Sequence, residues 1–329
     1  MNEAVNGDIV GGSSEKYKVT GNRKEAAMKI AIVTGASSGM GREAVVQLAD
    51  RFSRLEEIWV IARRKERLEN LKGQVPVPLR ILCLDLSLEQ DLARLGEELK
   101  QQKPDVKILV NAAGYGKIGN VGSVDISQES GMVRVNCETL VRVTHQVLPY
   151  MSRHGRILQF ASAAAFLPQP GFAVYAATKA FVLSYSRALG RELKGRDIRV
   201  TAVCPGPVRT EFFRIAETDS RMPAYKELFM ADPRKVVEKA VQDSMMGKSV
   251  SIYGIPMKLF GLLCKVVPHE VILSAIPGKA KAGGAEEKRE PEGQLTSIQQ
   301  DSISGGPETE ELSVPEAGGS LAAGEGVQK

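Results

Sequence analysis

Histidine and cysteine are scarce in this 329-residue chain, at three and four copies. The cysteines, Cys83, Cys137, Cys204 and Cys264, lie far apart, and three of them fall inside apolar runs. Such placement fits reduced, buried thiols in a cytosolic protein better than a disulfide framework or a zinc site. The histidines add no metal-ligand spacing, so no metal is expected. Any apolar run near the ~18 residues of a membrane span is also missing, and the first 28 residues lack an apolar core of signal-peptide length. A soluble, cytoplasmic protein without a transmembrane segment is therefore expected. Cations exceed anions only slightly, 44 Lys and Arg against 39 Asp and Glu. The densest basic run, Arg63-Arg64-Lys65-Glu66-Arg67, is too short and too mixed for a nucleic-acid surface. A small anionic ligand is a sufficient partner.

Against these absences stands a regular alternation of patterns. Residues 1–27 are polar and bear Gly, Ser and Asn, which reads as a flexible extension, with Met28 an equally good start. From there apolar runs alternate with helical patterns: Lys29 to Thr34, then Gly41 to Phe52; Glu57 to Ala62, then Lys65 to Lys72; Arg80 to Leu84, then Leu88 to Lys100; then Lys107 to Asn111. Parallel strands joined by right-handed crossovers produce this alternation. It predicts an α/β fold, a Rossmann-type doubly wound parallel sheet with helices on both faces, as a single domain over residues 28–255. A long helix is expected from about Ser130 to Met151, a strand at Arg156 to Phe160, a helix at Val174 to Leu193 and a strand at Ile198 to Cys204. The pattern loosens after Pro205-Gly206-Pro207, and about 207–230 reads as a lid. A helix from about Pro233 to Met246 and a strand from Ser249 to Tyr253 follow. Residues 256–277 are mostly apolar but broken, as short helices on the domain or at a subunit contact would be; a helix on a membrane surface is the alternative. Residues 278–329 hold five Lys or Arg against ten Asp or Glu, an acidic tail too poor in apolar surface to order itself.

Thr34-Gly35-Ala36-Ser37-Ser38-Gly39-Met40-Gly41 joins the first strand to the first helix. A glycine turn at this point lets the backbone approach a pyrophosphate, while the helix N-terminus offers free N–H groups and a partial positive charge. At the end of the second strand, proteins that use NAD place a carboxylate for the ribose hydroxyls. This chain has Ala62-Arg63-Arg64 there. The arginine fork matches phosphate geometry, so NADP(H) is expected in preference to NAD(H), with Arg63 and Arg64 on its 2′-phosphate and Ser37 or Ser38 beside it.

Ser162 ends a strand reading Arg-Ile-Leu-Gln-Phe-Ala-Ser, and thirteen residues later comes Tyr175-x-x-x-Lys179. A tyrosine with a pKa near ~10 is a poor base at neutral pH, but a nearby ammonium stabilises its anion. At i and i+4 of one helix, Tyr175 and Lys179 share a face. Ser162 adds a third group from the C-terminal edge of the sheet, where open α/β folds bind ligands. The combination reads as carbonyl/alcohol redox chemistry.

Together with Asp85 after the third strand, Asn111-Ala112-Ala113-Gly114, Asn136 and Pro205-Gly206, in this order, these motifs resemble the short-chain dehydrogenase/reductase family, in its single-domain NADP(H)-preferring branch, over about residues 28–255. The resemblance implies a tetrad. Tyr175 would be the general acid in reduction and the base in oxidation, and Ser162 would orient the carbonyl. Lys179 would hold the nicotinamide ribose and lower the tyrosine pKa, and Asn136 would hold a water that relays protons to Lys179. By the same resemblance Gly35, Ser37, Ser38, Gly39, Met40 and Gly41 hold the pyrophosphate side of the cofactor. Asp85 and Leu86 border the adenine, Asn111, Ala112 and Gly114 pack under it, and Pro205, Gly206, Val208 and Thr210 meet the nicotinamide end. Ala112 stands where many members have a second asparagine. Family members usually pair through two long helices, so a homodimer or homotetramer is expected.

Substrate walls are expected from the segments Tyr115 to Ile118 and Ala163 to Pro168, from Phe172, and from lid residues Phe212, Phe213, Ile215, Met222, Tyr225, Leu228 and Phe229. These are predominantly apolar, so the expected substrate is a hydrophobic ketone or aldehyde of hydroxysteroid or 3-ketoacyl type, with reduction as the cellular direction. The alternative is a non-enzymatic NADP(H)-sensing module on the same fold. Such modules generally lose the tyrosine or the lysine; here all four tetrad positions are kept.

Overall fold

In the first strand, Lys-Ile-Ala-Ile-Val-Thr, the residues Ile30, Ala31, Ile32 and Val33 are all fully buried, which requires cover on both faces. Burying each of the larger side chains contributes about 1.5–3 kcal/mol. The computed structural model describes residues 27–216 and 230–274. Its strands are β1 (Lys29–Thr34), β2 (Glu57–Ala62), β3 (Leu79–Cys83), β4 (Asp105–Asn111), β5 (Met151–Phe160), β6 (Arg199–Val203) and β7 (Val250–Ser251). Its helices are α1 (Gly39–Arg51), α2 (Lys65–Glu69), α3 (Glu89–Gln102), α4 (Ile126–Val133), α5 (Thr139–Val147), α6 (Ala173–Glu192), α7 (Glu211–Ala216), α8 (Pro233–Met245), α9 (Ile255–Val266) and α10 (His269–Ser274).

The seven strands form one parallel sheet in the order β3-β2-β1-β4-β5-β6-β7, the doubly wound, Rossmann-type sheet expected. The chain winds outward from β1 to β3, then returns to place β4 on the other side of β1. The crevice at that reversal, beyond the carboxyl ends of β1 and β4, is where such sheets take ligands. Side chains alternate along each strand, so two cores form. Ala31, Val33, Val60 and Val110 pack with Val45 and Leu48 of α1 and Val237 and Val241 of α8. Ile30, Ile32, Trp59 and Leu109 pack with Leu95 and Leu99 of α3, Val143 of α5 and Leu189 of α6. The buried Trp59 indole N–H donates to Glu57 at 2.7 Å, which satisfies its one polar atom.

Several boundaries differ from expectation. The long helix from Ser130 to Met151 is instead α4, one π turn (Arg134–Glu138), α5 and a 3-10 turn (Leu148–Tyr150). α4 starts earlier because Asp125 caps it, accepting from the Ser127 amide at 2.8 Å. Pro149, which has no N–H for the preceding turn, closes the run. β5 begins at Met151 instead of Arg156, and its pairing with β4 jumps from Val106↔Met151 to Ile108↔Arg156. The helix expected to Lys72 stops at Glu69 ahead of a 3-10 turn, Lys72–Gln74, in a stretch carrying the weak helix formers Asn70 and Gly73. Of the last strand only Val250 and Ser251 pair with β6.

The apolar C-terminal segment is split at Pro268 into α9 and α10. The inner side of α9 rests on Gly206 and Phe166 through Met257 and Gly261, while Ile255, Leu259, Leu262 and Val266 point outward, 56–74% exposed. Among the described residues no helix is long and apolar enough to cross a membrane. All four cysteines are free thiols; Cys83 is exposed and the other three are buried. The described residues fall within one compact unit, Met1–Pro277. The expected extension through residue 26, the lid stretch 217–229 with Met222, Tyr225, Leu228 and Phe229, and the chain from 275 onward, acidic tail included, lie outside the described residues.

Candidate active site

Beyond Thr34 the chain makes a turn that only glycine can make. Gly35 and Gly39 have φ of 68° and 53°, a left-handed conformation that side chains disfavour. A Cβ on Gly35 would lie 2.8 Å from the backbone of Ala112 and Ala113, and one on Gly41 would run into the Gly35 carbonyl. The Thr34 hydroxyl ties the two strand ends together by accepting from the Ala112 and Ala113 amides, each at 3.2 Å. Ser38 precedes α1 without a side-chain cap, so the first N–H groups of that helix face the crevice. Met40 packs against the core beneath the turn.

Arg64 crosses to this turn, donating to Ser37 Oγ at 3.1 Å and Ser38 Oγ at 2.7 Å. Its other terminal nitrogen donates to Glu211 at 2.9 Å, and Arg67 donates to both oxygens of the same carboxylate at 2.7 and 2.8 Å. The Arg67 and Arg64 hydrogen bonds hold the Glu211 carboxyl below its ordinary pKa. Ser37, Ser38, Arg42, Arg67, Thr210 and Glu211 line a cleft of about 600 Å³. The backbone cradle, the free helix N-terminus and the arginine–serine cluster fit the phosphates of a nicotinamide dinucleotide. Arg63 behaves differently from its neighbour. It is largely exposed and lies 3.7 Å from Asp85. Partial burial opposes ionisation of Asp85, but the Ser87 hydroxyl and amide, with Arg63, outweigh it and lower the pKa.

The Asn111 side chain is buried, and its Nδ2 donates to Thr144 Oγ1 at 3.0 Å and Gln159 Oε1 at 2.9 Å, which ties β4 to β5 and α5. Leu86 is buried, its carbonyl accepting from Thr139 at 2.9 Å. Pro205 accepts from the Ala163 amide at 2.7 Å, joining the end of β6 to the Ser162 turn. Gly206 lies under Met257, Val208 bridges to Ala231, and Thr210 touches Gly39.

Asn136, Ser162, Tyr175 and Lys179 converge on the same end of the sheet. Asn136 sits in the π turn, a distortion of the helical ladder that often marks functional positions. Its Oδ1 accepts from the Tyr115 amide at 3.0 Å, and its Nδ2 donates to the Tyr115 carbonyl at 2.9 Å and Thr178 Oγ1 at 3.0 Å. Thr178 donates in turn to the Tyr175 carbonyl at 2.7 Å. Lys179 donates to the Phe160 carbonyl at 2.8 Å and lies 5.6 Å from the centre of the Tyr175 ring. A Cβ on Gly114 would lie 2.8 Å from Asn136 Oδ1 and 3.5 Å from Lys179 Nζ, so the absent side chain at 114 lets both groups approach its backbone.

Burial dominates the titration of this pair. It pushes the Tyr175 phenol up to about 12, against a hydrogen bond with Ser162 that works the other way. It brings the Lys179 ammonium down to about 8, although the Cys137 and Cys204 thiols oppose the shift. A proton-bearing phenol beside an amine that titrates near neutrality is an arrangement for delivering a proton. Side chains from the segments expected to wall the substrate pack around the phenol. Phe172 stacks on Tyr175 with ring centres 4.3 Å apart, and Phe212 lies 5.3 Å away. Tyr115, Ile118 and Ala164 join the same cluster.

The sequence reading missed Arg67, Glu211 and Thr178. Arg67 had a usable signal, since it follows Arg64 by three residues at the start of a helix and shares its face. Glu211 had none, because its partners lie 144 and 147 residues away.

The sequence pattern of the short chain dehydrogenases matches residues 29–220. Sulfoacetaldehyde reductase 2 of Chromohalobacter salexigens is 36% identical over 189 residues, 56% of this chain and 74% of that protein. A short-chain dehydrogenase from Sphingobium yanoikuyae in complex with NADPH superimposes with a TM-score of 0.62 at 27% identity, covering 77% of this chain and 98% of that one. The 3-ketoacyl-(acyl-carrier-protein) reductase from Brucella melitensis, complexed with NADH, gives 0.59 at 27% identity, over 68% and 95%.

Proposed function

The chain belongs to the short chain dehydrogenase family, an NAD(P)-dependent oxidoreductase acting on alcohols and carbonyls, and on that premise we propose that it reduces a hydrophobic ketone or aldehyde with NADP(H). The observation that carries the reading is the convergence of Ser162, Tyr175, Lys179 and Asn136 beside the glycine turn, within a mainly apolar wall.

A dinucleotide held at the glycine turn by Gly35, Gly39, Gly41 and Arg64 would supply the hydride that reduces the carbonyl carbon. Tyr175, protonated across the physiological range, gives its proton to the carbonyl oxygen, so that hydride and proton together make the alcohol. Ser162 donates to the same oxygen and fixes the carbonyl plane. Lys179, near its titration point, stabilises the developing phenolate and offers a proton to restore it. Asn136 holds the Tyr115 backbone and Thr178, the residue next to Lys179 in α6, and so helps fix the position of the lysine.

Preference for NADP(H) is supported by the absence of a carboxylate at the end of β2 and by Arg64 with Ser37 and Ser38. The hydrophobic substrate class rests on the Tyr115, Ile118, Phe172 and Phe212 wall; sulfoacetaldehyde, in the name of a relative, is small and polar, and it would leave those rings uncovered. A homodimer paired through α4–α5 and α6, with a tetramer as the larger alternative, is supported by the exposed apolar Val133 and Phe181 on those helices. Residues 28–255 serve as the catalytic domain in this reading, and the cytoplasm, where free thiols persist, is its compartment.

The test is oxidation of NADPH and NADH by the purified protein with keto-steroids, 3-ketoacyl thioesters and small carbonyls, run beside Tyr175→Phe. Turnover of an apolar ketone with NADPH, lost in the variant while dinucleotide binding persists, is the expected result. Dinucleotide binding without turnover of any carbonyl would favour the sensing module instead.

A further inference from the structure

Glu43 and Glu211 both line the cleft, and of the two Glu211 is the one paired with Arg64 and Arg67. It opens the short helix α7, yet its hydrogen bonds reach across to α2 and to the end of β2. Arg67 gives it a two-oxygen contact at 2.7 and 2.8 Å, and Arg64 adds a third bond at 2.9 Å. Arg64 simultaneously holds Ser37 and Ser38. One carboxylate therefore draws on the same guanidinium hydrogens that a phosphate monoester would use, since both anions match the arginine fork.

From this competition we infer that Glu211 is a specificity-determining residue that restrains the preference for the 2′-phosphorylated cofactor. The inference rests on the NADP(H) reading above. A ribose 2′-phosphate has to draw Arg64 and Arg67 away from Glu211 or share them against a like charge. A ribose with a free 2′-hydroxyl makes no such demand and leaves the pairs intact. Glu211 thus weakens the phosphorylated dinucleotide selectively and leaves the site open to both. Its low pKa keeps the carboxylate charged throughout the physiological range.

The experiment is a calorimetric titration of the full chain with 2′,5′-ADP and 5′-AMP, in wild type, Glu211→Gln, Glu211→Ala and Arg64→Gln, with thermal melts to verify folding. NADPH and NADH are titrated in parallel. In both Glu211 variants, 2′,5′-ADP and NADPH should bind roughly three- to fivefold more tightly, the upper range of what one partly exposed charge contact is worth, while 5′-AMP and NADH stay within about twofold. A simply structural role would shift all four ligands together or weaken them, and that result would overturn the inference. If wild type favours 2′,5′-ADP through Arg64 and the Glu211 variants leave that ratio unchanged, the inference fails and the NADP(H) reading survives. If none of the proteins favours 2′,5′-ADP over 5′-AMP, both fail.

Discussion

Gly114→Ala is a one-carbon test of the proposed catalytic arrangement. The added Cβ would stand 2.8 Å from Asn136 Oδ1, closer than real Cβ atoms approach, and 3.5 Å from Lys179 Nζ. Asn136 cannot simply rotate away, because it is 1% exposed and both ends of its amide are committed to Tyr115, with Thr178 on the nitrogen. Moving it strains or breaks two buried hydrogen bonds at about 1 kcal/mol each, and overpacking adds about 1–3 kcal/mol. Some relaxation is expected, so the variant should lose about 2–4 kcal/mol. In a domain of this size that is a fall in Tm of about 5–15 °C. Turnover should drop further, by roughly 100-fold, since a displacement of about 1 Å at a catalytic group has that effect. The control is Gly73→Ala, where an added Cβ meets nothing within 4 Å and the smaller unfolded-state entropy favours alanine by up to about 1 kcal/mol. Urea midpoints, thermal melts and steady-state rates on both variants decide the matter. If Gly114→Ala melts with the control and turns over like wild type, the close approach of Asn136, Gly114 and Lys179 is not a feature of the working enzyme.

Two further outcomes follow from the charges in the site. Between its folded pKa of about 8 and the ordinary 10.5, Lys179 is more protonated in the unfolded chain, so stability rises with pH across that window; Tyr175, raised from 10.0 to about 12, lowers stability with pH between those two values. In cofactor-free protein the stability of wild type relative to Lys179→Met should therefore climb by about 2 kcal/mol from pH 8 to pH 10, and parallel urea-midpoint curves would refute the buried-ammonium account. Arg64→Gln should weaken NADPH binding by roughly 10-fold or more with little change for NADH, as expected for a charge-assisted phosphate contact. Arg63→Gln, altering a side chain that is 76% exposed, should do less to that ratio; an equal loss in both variants would put both arginines on the phosphate.

Features carried by whole elements were legible in the sequence. Four consecutive apolar residues in β1 signal burial on both faces, and the alternation with helices yields the parallel sheet. The Tyr175–Lys179 spacing places both groups on one face of α6 wherever the helix sits. What escaped depends on rotational phase and on partners far along the chain. Adjacent arginines at the end of β2 look equivalent as letters, but the backbone turning into α2 sends Arg64 to the serines and Arg63 toward Asp85. The pleat of β4 likewise sends the Asn111 amide to Thr144 and Gln159. Nothing in Arg-Val-Asn-Cys-Glu disfavours an ordinary helix, and the helical ladder opens by one residue there as Asn136 reaches Tyr115 on one side and Thr178 on the other. That opening gives the π turn a tertiary cause: Asn136→Ala, which removes both contacts, should let the segment relax toward a regular α-helix and rotate every residue C-terminal to it. A structure of that variant with the π turn intact would show instead that the turn is dictated by the packing of α4 and α5.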